Sequence, residues 1–156
     1  MRSLDTGAFL NAHLDGQRLL FVIDLRTDPF PANANADLNA LWAAAWHSAE
    51  TRDFGLVLAR SLAHLSAYDG EQLVGFVNVA WDGGLHAFIL DTCVHPRCRR
   101  RGIATQLVRQ AAAVAQARGP AWLHVDFEPQ LRAFYAGCGF RPSAAGVMRL
   151  GAEGRS

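Results

Sequence analysis

From Leu62 to Val94 the chain is rich in apolar residues and breaks at only two short places, Asp69-Gly70 and Asp82-Gly83-Gly84. Asp-Gly and Gly-Gly are the dipeptides that hairpins favour, because their backbone tolerates positive φ. The segment therefore predicts three strands, Leu62 to Tyr68, Gln72 to Trp81 and Leu85 to Val94, joined as an antiparallel meander. His95-Pro96 closes the third strand.

The flanks read differently. Gly102 to Arg118 carries an apolar stripe at helical spacing (Ile103, Leu107, Val108, Ala111, Val114, Ala115). Arg118 lies in its last turn, and Gly119 then Pro120 stop it. Upstream, Leu19 to Leu25 predicts a buried strand closed by Thr27-Asp28-Pro29. Asp37 is an expected N-cap for a helix through about Ser48, with Leu38, Leu41, Trp42, Ala45 and Trp46 on one face. A second short helix is expected within residues 49–60. Downstream, Trp122 to Phe127 predicts a strand and Gln130 to Gly137 a short helix. Phe140 to Leu150 predicts a final strand interrupted at Gly146. Residues 1–17 are ambiguous, a short helix around Thr6 to Leu14 being one reading. The order is mixed α/β on one core, and 156 residues suffice for a single domain over 1–156 without metal or disulfide staples.

Charge narrows the function classes. All 15 basic residues are arginine, which excludes a lysine base or an internal Schiff base. A net charge of +1 gives no general pull toward nucleic acid or membrane. No apolar stretch is long enough to span a bilayer, and no secretory signal is visible, so a cytoplasmic protein with three reduced cysteines is expected. The basic charge is nonetheless uneven, because Arg97, Arg99, Arg100 and Arg101 crowd the turn between the third meander strand and the clearest helix. A helix N-terminus leaves its first amides unpaired and carries partial positive charge. With Gly102 and Ala104 offering little side chain, a bulky anion such as a pyrophosphate can approach those amides closely. The competing reading is a solvated basic turn. No aromatic-interleaved basic surface supports a nucleic-acid partner.

The order of residues here is specific. Arg99-Arg100-Arg101-Gly102-Ile103-Ala104, preceded by Val94-His95-Pro96, resembles the coenzyme A pyrophosphate loop of the GCN5-related N-acetyltransferase (GNAT) superfamily. Leu131-Arg-Ala-Phe-Tyr135-Ala-Gly-Cys-Gly-Phe140 is similar to that superfamily's last block, at the right interval. The resemblance covers roughly residues 19–150, the first third in element order only. It implies a mostly antiparallel central sheet with flanking helices. Within it, Leu85–Val94 and Trp122–Phe127 run parallel and splay at their C-terminal ends. It further implies acetyl-CoA as acyl-donor substrate, held by Cys93, Val94, Arg99, Arg100, Arg101, Gly102, Ile103, Ala104 and Thr105. A small-molecule primary amine is then the acceptor, acylated directly in a ternary complex, and a homodimer is left open.

The resemblance also implies roles. Tyr135 is the candidate acid for the departing thiolate, and the Val94 N–H the oxyanion donor. The base is less defined. Relatives often place Glu or His on the face that positions 88, 90 and 92 share, and Phe88, Leu90 and Thr92 do not do that work. The candidates are then Glu128, Asp126 and Asp91, in that order, and Asp91 requires a strand bulge to turn it inward. The missing Glu or His keeps a rival in view, a non-catalytic acyl-CoA-binding module. Cys93, His95 and Cys98 lack a second ligand pair, so no metal is expected, and no Gly-x-Ser-x-Gly supports a hydrolase.

Overall fold

The structure is a computed structural model that describes residues 22–28 and 34–150. Five strands form one sheet in sequential order: β1 (Ile23–Thr27), β2 (Ser61–Asp69), β3 (Gln72–Trp81), β4 (His86–Val94) and β5 (Trp122–Val125). All neighbours are antiparallel except β4 and β5, which are parallel. The helices are α1 (Ala34–Trp46), α2 (Phe54–Leu58), α3 (Ile103–Arg118) and α4 (Arg132–Gly137). The expected meander is present, its turns made by Gly70 and Gly83 at φ 62° and 80°.

Two apolar clusters sandwich the sheet. On one face α3 lays Ile103, Leu107, Ala111 and Ala115 against Val77, Val79, Ala87 and Ile89. On the other face α1 and Phe54 pack Leu38, Leu41 and Trp42 against Tyr68, Phe76 and Cys93. The central strand β3 is therefore buried continuously from Leu73 to Val79. Gly75 allows the close approach of α3, because a Cβ there would stand 3.0 Å from Leu107 Cδ1 and 3.1 Å from Ile103 Cγ2.

Several expected boundaries move. β1 runs to Thr27, and the expected residues 19–21 and the helix over Thr6 to Leu14 lie outside the described residues. α1 already includes Ala34, so Asp37 sits in its first turn, where a carboxylate complements the helix dipole, and is not the cap. It ends at Trp46, ahead of Ser48, because His47 takes a left-handed φ of 53°. The second short helix is the five-residue α2, capped by Asp53, whose carboxylate accepts the Gly55 N–H at 3.0 Å. The final strand over Phe140 to Leu150 is not formed: residues 141–150 carry no regular structure. Pro142 removes a donor, and among the described residues Val147, Met148 and Leu150 find nothing to pack on, standing 79%, 81% and 89% exposed.

Candidate active site at the splayed strands

The parallel ladder stops early. β4 pairs with β5 only from His86↔Trp122 to Ile89↔Val125, so among the described residues Leu90 to Val94 have no strand partner on that side. The splay follows from a bulge. Phe76 pairs with Cys93 and Asn78 with Leu90, which leaves Asp91 and Thr92 opposite Val77 alone. Asp91 takes the extra residue at a φ of 56°, a conformation aspartate tolerates better than most side chains. The face parity flips across it: Ala87 and Ile89 face α3, whereas beyond the bulge Cys93 faces α1 and Val94 faces α3.

That flip also aims the backbone. The His95 N–H is given to Val74 O at 2.8 Å, on the β3 side. Neighbouring amides of a strand point to opposite edges, so the Val94 N–H points into the gap. A cavity of about 240 Å³ opens there, lined by Trp46, Thr92, Cys93, Val94, Ala104 and Tyr135 among others. A second cavity of about 200 Å³ adjoins it, sharing Val94, Arg99, Ala104 and Phe134 and reaching Arg100, Gly102 and Thr105. The two form one groove from the start of α3 into the splay.

The mouth of this groove is built from backbone. Gly102 is left-handed (φ 76°, ψ 5°) and Ile103 begins the helix, an alternation that turns successive N–H groups to one side and makes a concavity for an anion. The first intrahelical bond there, from Gln106 N to Gly102 O, leaves the amides of Ile103, Ala104 and Thr105 without helical acceptors. Nothing but Gln106 Nε2, at 3.9 Å, stands near the place of a Gly102 Cβ. The arginines separate by role. Arg99 donates from Nη2 to Ala45 O at 3.0 Å and from Nε to Val94 O at 3.4 Å, tying the end of α1 to the end of β4. Arg100, at φ 61°, lines the second cavity. Arg101 is exposed and lines neither cavity, and Arg97 turns away to Gln72 and Asp69.

The titratable groups differ in surroundings. Tyr135 is buried at the groove, stacked on Phe127 at 4.7 Å and edge-on to Phe140 at 5.7 Å. Burial raises its pKa, and the Thr92 hydroxyl partly offsets the rise. Thr92 Oγ1 is itself buried, with no hydrogen bond of good geometry. Burial likewise raises the Asp91 carboxyl, with Arg52 opposing. It pushes the Cys93 thiol up to about 12, so Cys93 holds its proton near neutrality. Asp126 and Glu128 are exposed just past β5, and neither they nor Asp91 line the two cavities, although Asp91 adjoins the lining residue Thr92. Trp42 is core, whereas Trp46 is 53% exposed and walls the groove. Sequence reading missed Leu131 and Phe134 as lining residues and Arg52 as Asp91's charged neighbour. Leu131 and Phe134 stand in the block that carries Tyr135, whereas no local pattern links Arg52 to Asp91. Among the described residues, no group of three or more His, Cys, Asp or Glu is placed to hold a metal ion, and no helix is long and apolar enough to cross a membrane.

The acetyltransferase (GNAT) family model matches residues 19–140. This chain belongs to the GNAT family. Its fold is that of the GNAT acetyltransferase from Streptococcus pneumoniae, with a TM-score of 0.68 at 22% identity over 84% of this chain and 99% of that one. It also superposes on AAC(6')-Iy, solved with the bisubstrate analogue CoA-S-monomethyl-acetylneamine, with a TM-score of 0.64 at 17% identity, covering 83% of this chain and 98% of that one. By sequence, this GNAT chain is 37% identical to mycothiol acetyltransferase of Mycobacterium ulcerans over 73 residues, which are 47% of this chain and 22% of that protein. The match to the Nocardia farcinica enzyme (39% identical) covers 49% of this chain and 25% of that protein, so the chain spans about a quarter or less of these curated relatives.

Proposed function

We propose that this GNAT domain transfers the acetyl group of acetyl-CoA to a primary amine, directly and within a ternary complex. The observation that carries the reading is the continuous groove. It runs from the unpaired amides of Ile103 to Thr105 to an inward-pointing Val94 N–H between diverging strands. In this reading the α3 terminus, with Arg99 and Arg100, holds the diphosphate. The acyl arm then lies along Cys93 and Val94.

The amine nitrogen attacks the thioester carbonyl carbon, forming a C–N bond, and the Val94 N–H steadies the oxyanion. The C–S bond then breaks and the sulfur takes a proton from the Tyr135 hydroxyl, which its raised pKa keeps protonated at neutral pH. The nitrogen's proton goes to a carboxylate. An alkylammonium is only about one part in a thousand neutral at pH 7, so such an acceptor matters. Asp91 fits this role best, because it is half-buried beside the lining residue Thr92 and burial raises its pKa above the ordinary carboxylate value. Asp126 and Glu128 then supply negative charge at the rim, which attracts a cationic acceptor. The thiol of Cys93 stays protonated, which favours direct transfer over an acyl-cysteine intermediate.

The test is thiol release from acetyl-CoA with a panel of primary amines. Tyr135→Phe is expected to lower kcat about a hundredfold while leaving coenzyme A affinity within a few fold. Tight acetyl-CoA binding without turnover by any amine would instead make the domain an acyl-CoA-binding module.

A further inference from the structure

Behind Trp46, which lines the groove, stand a second indole and a cation. Trp46 packs on Trp42 with ring centroids 5.8 Å apart, and the Arg52 guanidinium lies over the Trp42 ring at 4.4 Å. Arg52 belongs to the link between α1 and α2, yet its backbone is clamped on both sides by one residue of α1. Asn39 Oδ1 accepts the Arg52 N–H at 2.8 Å, and Asn39 Nδ2 donates to Arg52 O at 2.9 Å. An exposed arginine ordinarily spreads over many rotamers. Here the anchor and the indole face hold the head group in place before any ligand arrives. Among the described residues no carboxylate comes within 4.0 Å of it.

The opposite charge lies next to a groove-lining residue of β4. Asp91 projects from the bulge beside Thr92, which lines the cavity with Trp46 and Tyr135. Arg52 acts on Asp91 electrostatically, although the two make no ion pair. A cation held on the Trp42 ring and a half-buried carboxylate beside Thr92, separated by more than a salt-bridge length, match a ligand bearing both charges and an apolar body.

We propose that the acceptor is an aminocarboxylate, its amine received at Asp91 and its carboxylate by the Arg52 guanidinium, with its side chain against Trp46. This names the substrate class of the acyl-transfer reading and rests on it. The guanidinium fork suits a carboxylate in two parallel hydrogen bonds, a geometry that lysine does not reproduce.

Matched pairs test this: L-phenylalanine against phenethylamine, and L-leucine against isoamylamine, each assayed by thiol release at one pH. The quantity read is the ratio of kcat/KM, amino acid over amine. Arg52→Gln is expected to lower that ratio about ten- to a hundredfold, the range for losing a charged hydrogen-bond pair, with Arg52→Lys between the two. Circular dichroism checks that each variant is folded. A ratio unchanged by Arg52→Gln overturns the proposal, as does a wild type that prefers the amine of each pair. If neither series, nor any other primary amine of the panel, releases thiol while acetyl-CoA still binds by calorimetry, the acyl-transfer reading fails. Calorimetry with L-phenylalanine on the acetyl-CoA-loaded protein then decides the zwitterion site separately. Binding lost in Arg52→Gln sustains it, and no binding, or binding unaffected by the variant, overturns it.

Discussion

The two ends of the groove are made of different material. The end at α3 is backbone: a left-handed glycine, three amides without helical acceptors and a strand amide aimed inward by its neighbour's pairing. The end at α1 is side chain: Trp46, Thr92 and Tyr135 line it, and the proposed acceptor residues Arg52 and Asp91 adjoin them. Backbone donors present the same geometry whatever the flanking residues, so they suit a ligand part that does not vary. Side chains are replaced one at a time, so they suit the part that does. In this domain the division falls at Val94, which lines both cavities.

The harshest test of that division is Gly102→Glu. A Cβ at Gly102 has open space ahead of it, so the new carboxylate projects to where the anion would lie. Coenzyme A affinity is expected to fall at least about a thousandfold, equivalent to ~4 kcal/mol. Gly102→Ala carries the same left-handed strain without the charge, and is expected to lose far less. Equal losses in the two variants, measured by calorimetry, would mean that loop shape and not the anion site is being read.

Legibility followed the same division. The donor end was written locally: strand, Val94-His95-Pro96, arginines, Gly102 and a stopped helix all lie within 35 residues from Leu85 to Gly119. Local steric and hydrogen-bonding rules fix such a stretch. The proposed acceptor end joins Asn39, Arg52 and Asp91, and no periodicity links residues that far apart. Asp91 illustrates the limit. Strand alternation sets it on the face opposite Leu90 and Thr92 unless a bulge intervenes, and only the pairing of Phe76 with Cys93 and Asn78 with Leu90 shows that extra residue. The segment after Phe140 failed for a different reason. Its composition admits a strand, but pairing requires a surface to bury Val147 and Met148, and among the described residues nothing covers them.

A middle-sized effect is expected at the bulge. Asp91→Asn removes the proposed proton acceptor while keeping a side chain that tolerates positive φ, so kcat/KM should fall about ten- to a hundredfold. The sign of the pH dependence follows from burial. The Asp91 pKa lies above its ordinary value, so the required carboxylate appears only as pH rises through that raised value. The wild-type kcat/KM profile should therefore carry an acid limb above the usual carboxylate range, and the variant should lack it. Stability runs the other way. The fold favours the protonated carboxyl, so wild-type stability declines as pH rises through the same raised pKa, and Asp91→Asn should not share that decline. A variant that keeps the acid limb would move the base to Glu128 or Asp126.

The smallest effect asks whether the two ends are independent. Asn39→Ala removes both clamps on Arg52 and the bond from Asn39 Nδ2 to Asn35 O, without touching a residue that lines either cavity. Net worth of such exposed hydrogen bonds is modest, so a stability loss of about 1 kcal/mol and a drop in Tm of about 2–4 °C are expected. Freed from its clamp, Arg52 must be ordered by the acceptor itself, and the acceptor KM should rise about three- to tenfold at nearly constant kcat. Coenzyme A affinity should stay put if the ends act separately. The route by which it would not is specific: Arg99 grips Ala45 O in the last turn of α1, the helix that also carries Asn39. A matching loss of coenzyme A affinity in Asn39→Ala, abolished when Arg99→Ala is added, would show that α1 transmits acceptor occupancy to the donor end, and the groove would then act as one coupled site.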